Sequence, residues 1–113
     1  MSFIKNYAKG RRPIGVMNKL EERFSLYLED KKQLGELIWW AYEPIRLRLG
    51  KDSTYTPDFF VMTKDLELQV YESKGRWIEP GRTKIKVAAG MYPFRFFGVM
   101  WDSKEKKWKI EEF

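Results

Sequence analysis

At 113 residues, with 43% hydrophobic and 17% aromatic side chains, the chain has the size and apolar content of one domain with one core, which excludes whole-chain disorder. It contains no cysteine and no histidine, so disulfides, thiolate zinc sites, imidazole bases and Ser-His or Cys-His catalysis are excluded. Net charge is +6 with a pI near 9.5, a balance that suits an anionic partner such as nucleic acid but equally suits simple solubility.

Residues 1–15, with Gly10-Arg11-Arg12-Pro13, lack periodicity and read as a basic arm preceding a folded domain over 16–113. Met17, Leu20, Phe24, Tyr27, Leu28 and Lys31 fall at three- and four-residue steps. They predict a helix over about 17–31 with Asn18 as its cap. At 100° per residue, Glu21 lies roughly 40° from Met17, at the margin of the apolar stripe, whereas Glu22 lies at roughly 140° on the solvated face. Gln33 and Gly35 mark the helix exit. Strands are then predicted over 36–42 and 45–49, interrupted at Pro44, with a turn at 50–53.

One strand over 54–62 is predicted next, joined through Thr63-Lys64-Asp65 to a strand over 67–74. The segment 75–81, punctuated by glycine and proline, reads as a loop. A helix is expected over 82–91 with Ile85, Ala88 and Ala89 inward, then strands over 95–101 and 107–110. The order is α-β-β-β-β-α-β-β, an α/β domain with a mixed sheet flanked by helices. Trp39, Trp40, Tyr42, Phe94, Phe96, Phe97 and Trp101 are assigned to core or dimer packing. The longest apolar runs, 37–42 and 96–101, are strand-sized, so no membrane span is expected. With no secretory h-region in the first 20 residues, the expected location is the cytoplasm.

The predicted hairpin carries the chemistry. Pro57-Asp58 stands on one strand and Glu72-Ser73-Lys74 on the next, with thirteen residues between Asp58 and Glu72. Side chains alternate along a strand, so Glu72 and Lys74 share a face with Leu68 and Val70, while Tyr71 and Ser73 point the other way. If Asp58 pairs across from this end, two carboxylates and one ammonium converge. Neighbouring carboxylates raise each other's pKa unless a cation lies between them. A hard divalent ion suits the case, and Mg²⁺ takes one or two carboxylates plus substrate oxygens and water. Such a set could hydrolyse a phosphodiester without histidine. The plain alternative is an exposed salt bridge of little consequence.

Basic charge clusters beside this constellation. Residues 1–20 hold five basic side chains, Arg11 and Arg12 among them, and no acid. From Lys74 to Arg95 six basic residues face one acid, Glu79. Arg76, Arg82, Lys84 and Lys86 are candidates for phosphate contacts. Trp77 is a candidate for stacking on an opened base, or for packing back on the core. Solvated helix faces explain Lys84 and Lys86 about as well.

Tyr55-Thr56-Pro57-Asp58-Phe59 and Tyr71-Glu72-Ser73-Lys74-Gly75, with Lys84-Ile85-Lys86 and Tyr92-Pro93 downstream, resemble the PD-(D/E)xK nuclease superfamily. The likeness is to its small phage-encoded members of the endonuclease I, Holliday-junction-resolving type, and it extends from about residue 18 to 99. The resemblance implies a restriction-endonuclease-like fold and Mg²⁺-dependent DNA cleavage, with Mn²⁺ as a substitute. It places Asp58 and Glu72 on the metal, the backbone carbonyl of Ser73 beside them, and Lys74 on the attacking water. A glutamate of the first helix joins the site in this type, and the matching position is Glu21. Ser73 departs from the hydrophobic residue usual between the glutamate and the lysine. A junction resolvase cuts two symmetric strands, so a homodimer acting on branched, single-stranded or duplex DNA is expected. Two alternatives belong to other classes: a non-catalytic nucleic-acid-binding module, and a phage protein that binds a host protein.

Overall fold

The computed structural model describes residues 15–75 and 79–113. Helix α1 (Lys19–Gln33) starts two residues later than the apolar stripe, because Asn18 caps it: its Oδ1 accepts from the Glu21 N–H (2.7 Å) while Glu21 Oε1 accepts from the Asn18 N–H (2.9 Å). This reciprocal box satisfies two N–H groups at the open helix end. At the other end Gly35 adopts a left-handed φ of +83°, which lets the chain reverse into β1 (Leu37–Tyr42).

Next come β2 (Leu47–Gly50) and β3 (Ser53–Tyr55), which form a two-stranded sheet by themselves. Strands β4 (Phe59–Thr63) and β5 (Leu68–Ser73), helix α2 (Glu79–Met91), and strands β6 (Arg95–Asp102) and β7 (Lys107–Glu112) follow. The main sheet has the order β1-β4-β5-β6-β7. Its β5–β6 pair is parallel, with α2 as the crossover, and its other pairs are antiparallel. Among the described residues the domain is therefore α/β with a mixed five-stranded sheet and two helices.

The single strand expected over 54–62 is two strands. The break falls at Thr56-Pro57-Asp58, where Pro57 has no N–H to give a ladder. Tyr55 still pairs with Leu47, whereas Phe59 pairs with Tyr42 and Tyr71, so the chain leaves one sheet and enters the other across these three residues. The expected element order was one strand short for this reason. Helix α2 also begins three residues before the expected 82, with Pro80 in its first turn, where the missing N–H carries no penalty.

Alternation along the central strands divides the core. Phe59 and Val61 face α1 and pack with Phe24, Leu28 and Val99. Phe60 and Val70 face the other way and pack with Ile85 and Ala88 of α2, with Phe96, and with Leu47 and Tyr55 of the small hairpin. Of the aromatic residues assigned to core or dimer packing, Phe96 and Phe97 are buried and Trp39 is 41% exposed on the edge strand β1. Among the described residues no helix is long and apolar enough to cross a membrane.

Phe24 is fully buried against the rings of Phe59, Tyr71 and Trp108. Phe24→Ala is expected to cost about 3–5 kcal/mol through lost burial and the cavity left behind. Chemical denaturation should read this as a lower midpoint at unchanged slope.

Candidate active site

The β4–β5 ladder runs from Met62↔Leu68 to Phe59↔Tyr71, and one further step would set Asp58 against Glu72. The strands part there, and side chains complete the bonding that the ladder drops. The Asp58 N–H donates to Glu72 Oε1 (3.1 Å), and the Ser73 N–H donates to Asp58 Oδ2 (2.9 Å). The Ser73 hydroxyl adds a second bond to the same Oδ2 (3.0 Å). Glu43, turned by a left-handed φ of +48°, gives its N–H to the Asp58 carbonyl (2.7 Å). On the far side the Lys74 N–H reaches the Val99 carbonyl (3.0 Å) and holds the end of β5 to β6. Asp58 is thus fixed at the fork of two strands rather than on a mobile turn.

Glu72 and Lys74 share a face, as alternation requires, and form an ion pair with Nζ 3.0 Å from Oε2. The pair is lopsided: the Glu72 side chain is 9% exposed and that of Lys74 39%. Glu72 Oε1 also accepts from the buried Tyr55 hydroxyl (3.0 Å). Ser73 points away from this face and spends both its donors on Asp58.

Glu21 is buried, as its place at the stripe margin predicted, and Glu22 is exposed. Glu21 Oε1 accepts from the Tyr42 hydroxyl (2.9 Å) as well as from the Asn18 N–H. It therefore caps α1 and also stands near enough to Asp58 for its charge to be felt there.

Burial pushes the Asp58 carboxyl well above the usual range, and the charges of Glu72 and Glu21 push it further. The Ser73 N–H and Lys74 oppose that rise without cancelling it. Burial also raises Glu72 against the pull of Lys74 and its other donors. For Lys74 burial works downward, but the adjoining Glu72 carboxylate outweighs it and the net shift is upward. Lys74 is therefore an ammonium at neutral pH in this arrangement, a donor of hydrogen bonds and not a base.

The remaining candidates separate. Lys84 lies on α2 at a cleft of about 520 Å³ that Glu72, Lys74 and Tyr55 also line, and its Nζ donates to the Thr54 carbonyl (3.1 Å). Arg82 turns toward β7 instead, in a two-pronged pair with Glu111 (2.9 and 3.1 Å). Lys86 is exposed on α2 and does not line the cleft. Arg11, Arg12, Arg76 and Trp77 lie outside the described residues.

Two residues of the site escaped sequence reasoning. Tyr55 reads as part of a continuous strand over 54–62, although Pro57, two residues on, is a usable signal of a break. Arg46, which lines the same cleft, carried no local signal at all.

A hard cation fits the donor chemistry. Both strand carboxylates are buried side by side with raised pKa values, the state that a divalent ion relieves. Asp58 Oδ1 accepts no hydrogen bond from the described residues, and no fully buried polar side-chain atom there lacks a partner, so this oxygen reaches solvent. Among the described residues no three acidic side chains gather closely enough to cage an ion alone. Mg²⁺ does not require such a cage, since it keeps several waters and takes one or two carboxylates.

The raised pKa values carry a stability consequence. The ordinary values are 3.8 for Asp58 and 4.5 for Glu72. A carboxyl raised in the folded state contributes stability that is present below its unfolded value and lost as pH climbs through the folded one. In metal-free buffer the melting temperature should therefore fall as pH rises above the ordinary carboxylate value of 4.5 toward neutrality. Asp58→Asn should flatten that fall and raise the melting temperature at neutral pH by about 4–8 °C, the equivalent of ~1 kcal/mol in a domain of this size. Calorimetry of both proteins across the pH range checks this, and an unchanged slope in the variant would contradict it.

No family model, no curated protein and no solved structure matches this chain.

Proposed function

We propose that the chain is a Mg²⁺-dependent endonuclease that hydrolyses DNA phosphodiester bonds, a small member of the PD-(D/E)xK superfamily with a restriction-endonuclease-like sheet. The observation that carries this reading is the fork of β4 and β5. There the Asp58 N–H holds Glu72, the Ser73 N–H holds Asp58, and Lys74 stands 3.0 Å from Glu72 at the lip of a basic cleft. A buried acidic pair beside a lysine in a cleft is an expensive arrangement for a merely structural end. The mixed sheet with α1 on one face and α2 on the other supports the resemblance drawn from Pro57-Asp58 and Glu72-Ser73-Lys74.

In this reading Asp58 and Glu72 hold the cation, with the Ser73 carbonyl beside them. A bound Mg²⁺ would lower the pKa of a water, polarise the phosphoryl group and stabilise the leaving oxygen. Lys74, as an ammonium, donates to the attacking water or to a non-bridging phosphate oxygen, which fixes direction and offsets the charge that develops there. Tyr55 keeps Glu72 from turning, and Ser73 does the same for Asp58. Glu21 adds negative charge from α1. A branched substrate and a homodimer with two such sites complete the resolvase form of the proposal.

One observation favours a second reading, a non-catalytic nucleic-acid-binding module. Three of the four oxygens of Asp58 and Glu72 already have protein partners, so the fork could serve only to tie two strands.

Incubation with four-way junction, single-stranded and duplex DNA in Mg²⁺, Mn²⁺ or EDTA separates the two. Cleavage should require the metal and fall by roughly a hundredfold or more in Asp58→Asn and in Lys74→Ala, with binding to the junction nearly intact. Mg²⁺ should also raise the melting temperature of the unaltered protein but not that of Asp58→Asn. Salt-sensitive binding without cleavage, and no thermal response to Mg²⁺, would establish the second reading.

A further inference from the structure

The cleft beside Glu72 has walls that the fork does not explain. One wall is the β2–β3 hairpin and the other is the first turns of α2, with Gly81 and Lys84 among its lining. The hairpin is tied to the helix side by three independent contacts. Leu47 and Tyr55 pack with Ile85 and Ala88 in one apolar cluster. The Lys84 ammonium donates to the Thr54 carbonyl (3.1 Å), and the Tyr92 hydroxyl to the Arg48 carbonyl (2.6 Å). A two-stranded ribbon is marginal alone, so these contacts are what hold its side chains in position over the cleft.

Three cations line the cleft against one carboxylate, and that carboxylate is already paired with Lys74. Arg82, Arg95, Lys107 and Lys109 are each engaged by an acidic side chain elsewhere on the surface. Arg46 differs: it is exposed at the cleft and has no hydrogen bond or ion pair among the described residues. A guanidinium left without an acid, one residue before the anchored Leu47 and lining a polar cleft with two ammonium groups, is arranged for an anion. Its planar fork of donors matches two oxygens of one phosphate.

We propose that this cleft seats a phosphate of the nucleic-acid strand adjacent to the phosphate that is cut, with Arg46 as its anchor and Lys84 as its second donor. The identity of the ligand as a nucleic-acid phosphodiester rests on the nuclease reading; the positive cleft does not. Arg46 is a positioning residue. It touches the strand but not the reacting atoms, so its loss weakens binding and leaves turnover of bound substrate unchanged. Volume agrees, since about 520 Å³ is within the range of sites that bury a small organic ligand and too small for a duplex. One strand therefore enters the cleft while any partner strand stays outside it.

The test measures fluorescence anisotropy of a labelled single strand and of a duplex, in EDTA and across a series of salt concentrations. The proteins compared are the unaltered chain, Arg46→Ala and Arg48→Ala. Arg48 is the control because it sits two residues further on, in β2, is exposed, and bonds back to the Gly50 carbonyl rather than lining the cleft. Arg46→Ala should weaken binding about tenfold and reduce the slope of log affinity against log salt by about 0.7–0.9, the loss of one phosphate contact. Arg48→Ala should change neither. In Mg²⁺, saturating turnover should be equal in all three, with KM raised only in Arg46→Ala. Equal affinity and slope in Arg46→Ala, or an equal loss in Arg48→Ala, overturns the proposal. Binding that depends on Arg46 without any cleavage keeps the cleft and discards the nuclease. Cleavage with a KM indifferent to Arg46 does the reverse.

Discussion

Where β4 and β5 separate, two backbone N–H groups that a ladder would have paired are taken instead by carboxylates from the opposite strand. Asp58 N–H goes to Glu72 and Ser73 N–H goes to Asp58. This exchange is what allows two acids to be buried at adjacent positions without an orphaned polar group. It also means that neither carboxylate can move without releasing a buried donor, which costs about 1–3 kcal/mol. The position of the acids is thus enforced by the hydrogen-bond needs of the main chain.

That enforcement works against the electrostatics. Burial raises both acids, repulsion from Glu72 and Glu21 raises Asp58 further, and Lys74, more exposed and placed on one side only, compensates in part. The domain tolerates the strain because the sheet beneath it is well packed: Phe59 and Phe60, the two residues that follow Asp58, are fully buried on opposite faces. The apolar burial of β4 anchors one arm of the fork, and the parallel pairing of β5 with β6 anchors the other. A stable framework holding an unfavourable charge pair is the usual relation between a scaffold and a working site.

The small hairpin extends the same logic outward. It exists as structure because Leu47 and Tyr55 find a core to enter. Once placed, it brings the Tyr55 hydroxyl to Glu72 and sets Arg46 over the cleft. Buried Glu72 lies at the cleft with three cations, Arg46, Lys74 and Lys84, along the same lining.

By itself the sequence determined what alternation and helical periodicity govern. The spacing of Glu72 and Lys74 fixed them to one face, and the angular position of Glu21 beside Leu28 set it on the buried side of α1. Asn18 and Glu21 fixed the helix start because capping is local chemistry. The tertiary structure decided what depends on partners. Sheet pairing, not the pattern of residues 54–62, split the expected strand at Pro57, since β-branched and aromatic residues read alike in either sheet. Register brought Asp58 opposite Glu72, and no count of intervening residues could specify it. Arg46 gained meaning only when the hairpin that follows it packed on α2, because a cleft belongs to elements distant in the chain and a single exposed arginine carries no mark of the wall it will join.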